Sequence, residues 1–409
     1  MRWFVPVIIV LTSWATASAQ TIDDVFDTNV VKEIRLVVEP NDWQTFLANP
    51  GANTYYPADF QWGTITVRHI GIRQRGGSTR NGIKPSIRLD FNRYESGQTF
   101  LSLKSLGLKN NEQDASQIKD RIVMEVFAKL GVPVPRDVSA TVYVNGEYYG
   151  LYSVVEPVDK DFLQRAFKEN DGYLYSYNDT TNYHFEYLGA DPSLYVPRFF
   201  EPQTHSNNPK ADQIVAMIRR MNMASDADFA KAMAPYIDLS FFMKELAIED
   251  FMAETDGILT GMNNFDMYRF LSGVCQIIPN DKDMTFGGPP TNPNRPQNPL
   301  LGNAGKNVLI RRALNVPEAR DSYFNTILAL SQLAGSGGWL ETEIARVYNQ
   351  IHSAVLADNK KQCFTGSVSS PCSNSLFEAE IAADLQFARQ RGDFARAQIT
   401  LLSQQQLYA

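Results

Sequence analysis

The chain has 409 residues, of which 44% are hydrophobic and 20% charged, enough to bury one large core or two closely packed lobes. A formal net charge of −7 argues against a nucleic-acid partner, which calls for a basic surface. Four scattered histidines (His69, His184, His205 and His352) and three cysteines offer no zinc-ligand spacing.

Residues 1–19 have the make-up of a secretory signal, with Arg2, an apolar run over 5–11 and the small-residue site Ala17-Ser18-Ala19. That run is too short to span a bilayer. No later stretch is long and apolar enough, so the expectation is an exported protein with no transmembrane segment after cleavage near Ala19. Residues 31–39 alternate as a strand does, and Asn41-Asp42-Trp43 opens a short helix. The stretch 60–75 is strand-rich, and Arg73 and Arg75 share one face at period two. Gly76-Gly77-Ser78-Thr79 then turns with exposed backbone amides. Over 84–91 Ile87, Leu89 and Phe91 take one face; Lys84, Ser86, Arg88 and Asp90 take the other. The spacing predicts a core face and a charged face toward a cleft.

An amphipathic helix is predicted over 116–130, capped by Gly131 and stopped by Pro133 and Pro135. Its polar side carries Asp120, Arg121 and Glu125, one of which would partner Lys84, the sequence not saying which; a solvated face is the alternative. Asn145-Gly146 joins strands 139–144 and 148–155 in a hairpin, which runs into Glu156-Pro157-Val158-Asp159-Lys160. A strand at 172–177 precedes a polar, aromatic segment at 178–210 with no clear period, read as an insertion near a cleft mouth. Helices are expected at 211–221, 226–236, 307–314, 319–333, 339–357 and 376–402. The run 288–299, dense in Pro and Asn, reads as a disordered or lid-like loop. Cys363 and Cys372 flank a flexible stretch and are expected to pair in an exported protein. Cys275 sits in an apolar strand and is expected to be a buried free thiol.

The centre of the chain is the stretch 254–287. Residues 239–252 are apolar all round and predict a buried helix, broken by Thr255-Asp256-Gly257. A strand at 265–270 and an apolar run at 274–278 follow, ending at Pro279. Asp281 and Asp283 come next. Held on one side of an extended segment, roughly 4 Å apart, two such charges repel by about 4 kcal/mol at an effective dielectric of 20. A divalent cation turns that repulsion into attraction. Asp256, Asn263 or Asn264, and Asp281 would make one acidic pocket for a metal and a nucleotide. A solvated turn rich in Asp and Asn is the alternative.

The run NDKDMTFG (280–287) resembles the PWDxDxTFG signature of the spore coat protein H (CotH) kinase-like family. Asp256-Gly257 with Asn263-Asn264 resembles that family's Asp-Gly-Tyr followed by paired asparagines. Asn280 stands where the family has Trp, and Ile258 where it has an aromatic. Residues 75–88 resemble the family's R-G-x-S-S…K-x-S-x-R block, with Thr79 for the second Ser. Residues 150–163 match G-x-Y-x-x-x-E-x-V-D-K-x-F-L. The resemblance runs from about residue 31 to the last helix.

This resemblance implies a two-lobed, protein-kinase-like α+β fold, with a strand-rich lobe over 20–160 and a mainly helical lobe over 161–409. The segregation of strands and helices agrees with an α+β class. It implies a secreted or surface protein that uses ATP with Mg2+ or Mn2+ to phosphorylate Ser or Thr of protein substrates. Asp256 would be the catalytic acid/base or the residue that orients the nucleophile. Asp281 would hold the metal with Asn263 or Asn264 and Asp283. Lys84, Arg75, Ser78 and Glu156 would bind the nucleotide. Two alternatives stay open: a surface or coat protein that keeps the fold without turnover, and a hydrolase working with two separated carboxylates. A Ser-His-Asp hydrolase has no G-x-S-x-G to support it.

Overall fold

The computed structural model describes residues 20–77, 79–178, 183–288, 292–364 and 369–403. The signal-like segment 1–19 and Ser78 lie outside the described residues.

After a short helix, α1 (Ile22–Val25), strand β1 (Lys32–Val38) buries every second residue, as its alternation predicts. Helix α2 (Pro40–Ala48) starts where the Glu39 carboxylate accepts from the amides of Asn41 and Asp42, satisfying donors the helix cannot use itself. Strands β2 (Tyr56–Trp62), β3 (Ile65–Gln74), β4 (Ile87–Asp90) and β5 (Ser105–Lys109) follow in antiparallel succession. Helix α3 (Lys119–Lys129) then leads to the hairpin β6 (Asp137–Val144) and β7 (Glu147–Val155). Asn145, with φ 51°, and Gly146, with φ 82°, make the left-handed turn the dipeptide favours.

These seven strands close into a barrel in the order β1-β2-β3-β4-β5-β7-β6. Closure comes from β1 lying parallel to β6, from Lys32 opposite Ala140 to Leu36 opposite Val144. Ile34, Phe60, Ile72, Leu89, Leu108, Val142 and Val154 are buried inside, so the barrel is a packed core, as small barrels are. The two-lobed, kinase-like arrangement expected from the sequence is corrected here to a closed barrel joined to a helical half. The physical reason is the β1–β6 pairing. It is parallel and non-local, and alternation along either strand carries no trace of its partner.

The second half begins with α4 (Lys160–Phe167), capped by Asp159. Strands β8 (Tyr173–Tyr177), β9 (Phe200–Pro202), β10 (Phe265–Arg269) and β11 (Cys275–Pro279) form a sheet in the order β11-β10-β8-β9. The segment read as an insertion thus supplies an edge strand. Helices α5 (Ala211–Met223), α6 (Phe229–Met233) and α7 (Leu239–Phe251) precede β10. Helices α8 (Val308–Ala313), α9 (Pro317–Leu333) and α10 (Trp339–Ala357) follow β11. The small hairpin β12 (Gln362–Phe364) and β13 (Ser369–Pro371) and the long α11 (Asn374–Leu402) end the fold.

Helix α7 is buried along Phe242, Met243, Leu246, Ala247 and Ile248, as a helix apolar all round must be. It belongs to the same core as α9, α11 and the apolar side of α3. The Pro- and Asn-rich run is not free where it is described. Arg295, 2% exposed, donates to Glu380 at 2.9 Å, Asp384 at 2.7 Å and the Phe286 carbonyl at 2.6 Å, fixing the run to α11. Cys363 and Cys372 form the expected disulfide, and Cys275 is a buried free thiol.

Candidate active site

Strand pairing brings the central residues together. Phe265 lies opposite Pro279 across β10 and β11, and the Asn280 amide donates to the Asn264 carbonyl at 3.1 Å. Continuing that ladder sets Asn263-Asn264 beside Asn280-Asp281. The carboxamides of Asn263 and Asn264 both donate to Asp256 Oδ2, at 3.1 and 3.0 Å. Burial raises the Asp256 pKa, with Asp281 adding to the rise against the two amides and Lys282. Asp256, Asn263, Asn264 and Asp281 therefore form one constellation at the end of the hairpin.

Asp281 and Asp283 are not bare neighbours. The turn places Asp281 at φ 51°, and the ammonium of Lys109 sits between the two carboxylates. Lys109 Nζ pairs with Asp281, with Asp283 at 3.0 Å and with Asp120 at 2.9 Å. Burial would depress the Lys109 pKa, but the carboxylates of Asp120, Asp281 and Asp283 outweigh it and hold the ammonium charged. On Asp281 burial is likewise outweighed, by Lys109 and then Arg75 and Lys282, and its pKa falls below the usual value. Asp283, 3% exposed, is pushed up to about 7 by burial and by Asp281 and Asp120, against Lys109.

Lys282 points the other way. Fully buried, it pairs with Glu249 at 2.6 Å and donates to the Asn264 carbonyl at 2.9 Å. It thereby fixes the backbone that presents the two asparagines. Asp120 does the same on the other side, since its second oxygen accepts from the Lys282 amide at 2.8 Å.

The remaining expected residues divide. Arg75 lines the cleft with Lys109 and Asp281, and its guanidinium lies over Gly107, where a Cβ would overlap it. Glu156 also lines the cleft, but its carboxylate is taken by Arg136, at 2.9 Å, and Arg165, at 2.6 Å. Lys84 precedes β4, is 0% exposed and pairs with Asp358 at 2.7 Å. It does not line the cleft. Period-two reading places it on a strand that begins only at Ile87. Ser78 lies outside the described residues.

Lys109, and its pairing with the helix residue Asp120, is what sequence reasoning missed. In Ser105-Leu106-Gly107-Leu108-Lys109 the two leucines take one face of β5, which leaves Ser105, Gly107 and Lys109 on the other. That pattern is readable, but nothing local says that this face meets the β10–β11 hairpin.

A hard divalent cation is the group such a site would hold. Among the described residues no set of three or more His, Cys, Asp or Glu groups is disposed to hold a metal. The donors in contact are the Asp256 carboxylate and the carboxamides of Asn263 and Asn264, with Asp281 at the same hairpin end but paired with Lys109. Both amide nitrogens face Asp256, which leaves the carboxamide oxygens for another partner. Carboxylate and amide oxygens are the donor chemistry of Mg2+ and Mn2+, so the residues fit; Asp283, sealed against Lys109, fits least.

Barrel and hairpin enclose between them a cavity of about 320 Å3, lined among others by Arg73, Arg75, Arg88, Lys109, Asp120, Glu156, Asp266 and Asp281. Fold and site define an α+β protein with a charged cleft, basic on the barrel side and carboxylate- and carboxamide-bearing on the other. Residues 72–395 match the family model described as CotH kinase protein, and the chain belongs to this family. It is similar to the inner spore coat protein H of Bacillus subtilis, 25% identical over 72% of this chain and 79% of that protein. It is also similar to spore coat protein homolog 1 of Rhizopus delemar, 20% identical over 68% of this chain. The chain spans 46% of that relative's length.

Proposed function

We propose that this protein is an exported phosphotransferase that moves the γ-phosphoryl group of ATP to Ser or Thr hydroxyls of surface or extracellular proteins. The observation that carries the reading is Lys109. It is a charged ammonium held by Asp120 from a helix and placed against Asp281, at the point where phosphate oxygens and metal-bearing carboxylates have to meet.

In this reading Asp256 accepts the proton of the attacking hydroxyl. The new O–P bond forms as the bond to the ADP oxygen breaks, and Asn263 and Asn264 hold the Asp256 carboxylate in place. Asp281 and the two carboxamide oxygens would hold Mg2+ or Mn2+, which would supply charge for the phosphate oxygens. Lys109 and Arg75 face the phosphates from the barrel. Export is supported by the signal-like residues 1–19 and by the Cys363–Cys372 disulfide. Among the described residues no helix is long and apolar enough to cross a membrane.

The second reading is a coat or surface protein without turnover. It is favoured by the Lys109 bridge, which already neutralises the acids a metal would use, by Asn280 and Ile258 in place of the family's aromatics, and by the coat proteins among its relatives. Incubating the purified full chain with γ-labelled ATP and Mg2+ or Mn2+, against itself and dephosphorylated casein, tests the first reading. Label on Ser or Thr supports it. Nucleotide protection against melting without any transfer supports the second.

A further inference from the structure

The cleft has more positive charge on its barrel wall than the proposed chemistry uses. Arg73 and Arg88 are direct cross-strand partners in the β3–β4 ladder, and both line the cavity together with Arg75. Like charges placed opposite one another in a sheet repel, so such a pair calls for an anion.

The cavity's own acids do not supply it. Glu156 is held by Arg136 and Arg165, and Asp120 and Asp281 by Lys109. Asp266 is bonded to the Ser176 hydroxyl at 2.6 Å and the Asn280 carboxamide at 2.7 Å. Asp90 lies two residues along β4 from Arg88, yet among the described residues none of Arg73, Arg75 and Arg88 makes an ion pair with it or with any other carboxylate. The Arg73 guanidinium lies 5.3 Å from the centre of the Tyr55 ring, and its Nε is buried without a hydrogen-bond partner. The ring holds the guanidinium on one side, and no protein acceptor takes the buried Nε–H.

Arg73 and Arg88 share the larger cavity with Asp281 but not the smaller one in which the acids cluster. A smaller cavity of about 30 Å3 is lined by Arg75, Thr79, Lys109, Asp281 and Asp283, among others, and neither Arg73 nor Arg88 reaches it. We infer that Arg73 and Arg88 form a second anion subsite in the cleft, separate from the Asp281 end, which takes a phosphate group through paired guanidinium contacts. The inference rests on the phosphotransferase reading only for which molecule carries that phosphate. Binding at the subsite requires neither a divalent cation nor turnover.

The test uses the full chain in EDTA, with inorganic phosphate and pyrophosphate as probes and binding read by calorimetry and melting temperature. Wild type and Asp281→Asn should both bind pyrophosphate. Arg88→Gln should bind it about tenfold more weakly or worse, the usual loss for one charge-assisted contact, and Arg73→Gln/Arg88→Gln more weakly still. Arg88 is exposed, so Arg88→Gln is expected to keep the ligand-free melting temperature of wild type, and it gives a result even where the double variant folds poorly. Adding ATP with Mg2+ identifies the source of the phosphate. Displacement of pyrophosphate means the nucleotide's own chain occupies the subsite; simultaneous binding means a separately borne phosphate does. Pyrophosphate affinity unchanged in Arg88→Gln, or no binding by wild type, overturns the subsite. Loss of binding in the variants, with no phosphoryl transfer by wild type, leaves the subsite standing and removes the enzymatic reading instead.

Discussion

The Lys84 ammonium and the Asp358 carboxylate, 274 positions apart, meet at 2.7 Å with both side chains sealed from water. The approach depends on Gly150, whose φ of 118° suits glycine and whose Cβ, if present, would overlap the Asp358 carboxylate. Asp358 also accepts from the Leu151 amide at 3.1 Å. One pair thus ties the barrel to the segment after α10.

Lys84→Met should therefore destabilise the protein by about 3–5 kcal/mol, the cost of leaving a buried charge without its partner. Adding Asp358→Asn should recover part of the loss. Urea unfolding of the single and double variants measures it. A change within about 0.5 kcal/mol, the range of exposed substitutions, would put Lys84 on the surface and the pair in error.

Lys109→Met should abolish nucleotide-dependent protection and also lower stability at neutral pH, because Asp120, Asp281 and Asp283 would face one another without a cation. Asp283→Asn in the same chain should restore stability but not nucleotide protection. Melting curves with and without ATP and Mg2+ separate the two effects. Full nucleotide protection in Lys109→Met would remove Lys109 from the site.

Much of this fold is legible in the sequence, and where it is not the reasons are physical. The alternation of β1, the Asn145-Gly146 turn and the all-round apolarity of α7 are local patterns, and the structure follows them. The grouping of Asp256 with Asn263, Asn264 and Asp281 is readable because a single hairpin connects them. Barrel closure and the Lys84–Asp358 and Lys109–Asp120 pairs join residues distant in sequence or on separate elements, and a charged side chain looks the same in sequence whether it is solvated or buried against a partner. The alternation that puts Lys84 on a cleft face extends past the true start of β4. Asp281 and Asp283 do meet a cation, Lys109, but through a left-handed turn at Asp281 and not the extended segment their spacing suggests.

Reducing the Cys363–Cys372 bridge should lower stability by about 2–3 kcal/mol, the loop-closure term for so short a loop. Unfolding of Cys363→Ser/Cys372→Ser against wild type measures it, with no change expected in nucleotide protection, since neither cysteine lines the cleft. Equal stability of the two proteins would mean the bridge constrains nothing.

Asp250 gives a pH signature away from the cleft. It is 5% exposed, accepts from the Leu301 amide at 2.8 Å and the Tyr323 hydroxyl at 2.5 Å, and burial pushes its pKa up to about 6. A carboxyl whose folded pKa lies above its unfolded value binds its proton more tightly when folded. Its contribution is full below about pH 4 and is lost as pH rises through about 6. Wild type should therefore lose roughly 3 kcal/mol relative to Asp250→Asn across that window. Chemical denaturation of both from pH 4 to 8 checks it, and parallel pH profiles would show that Asp250 does not titrate in this way.

The central claim is that the Asp256–Asp281 constellation transfers phosphoryl groups, and labelled-phosphate transfer by the full chain tests it most directly. Wild type, Asp256→Asn and Asp281→Asn are compared with γ-labelled ATP, with and without Mg2+ or Mn2+, after melting curves have shown all three to be folded. The account predicts metal-dependent label on Ser or Thr from wild type, and at least about a hundredfold less from each variant, the scale of losing a positioned acid/base or metal-holding group. Transfer by the variants at the wild-type rate, or no transfer by folded wild type with either metal, would contradict it.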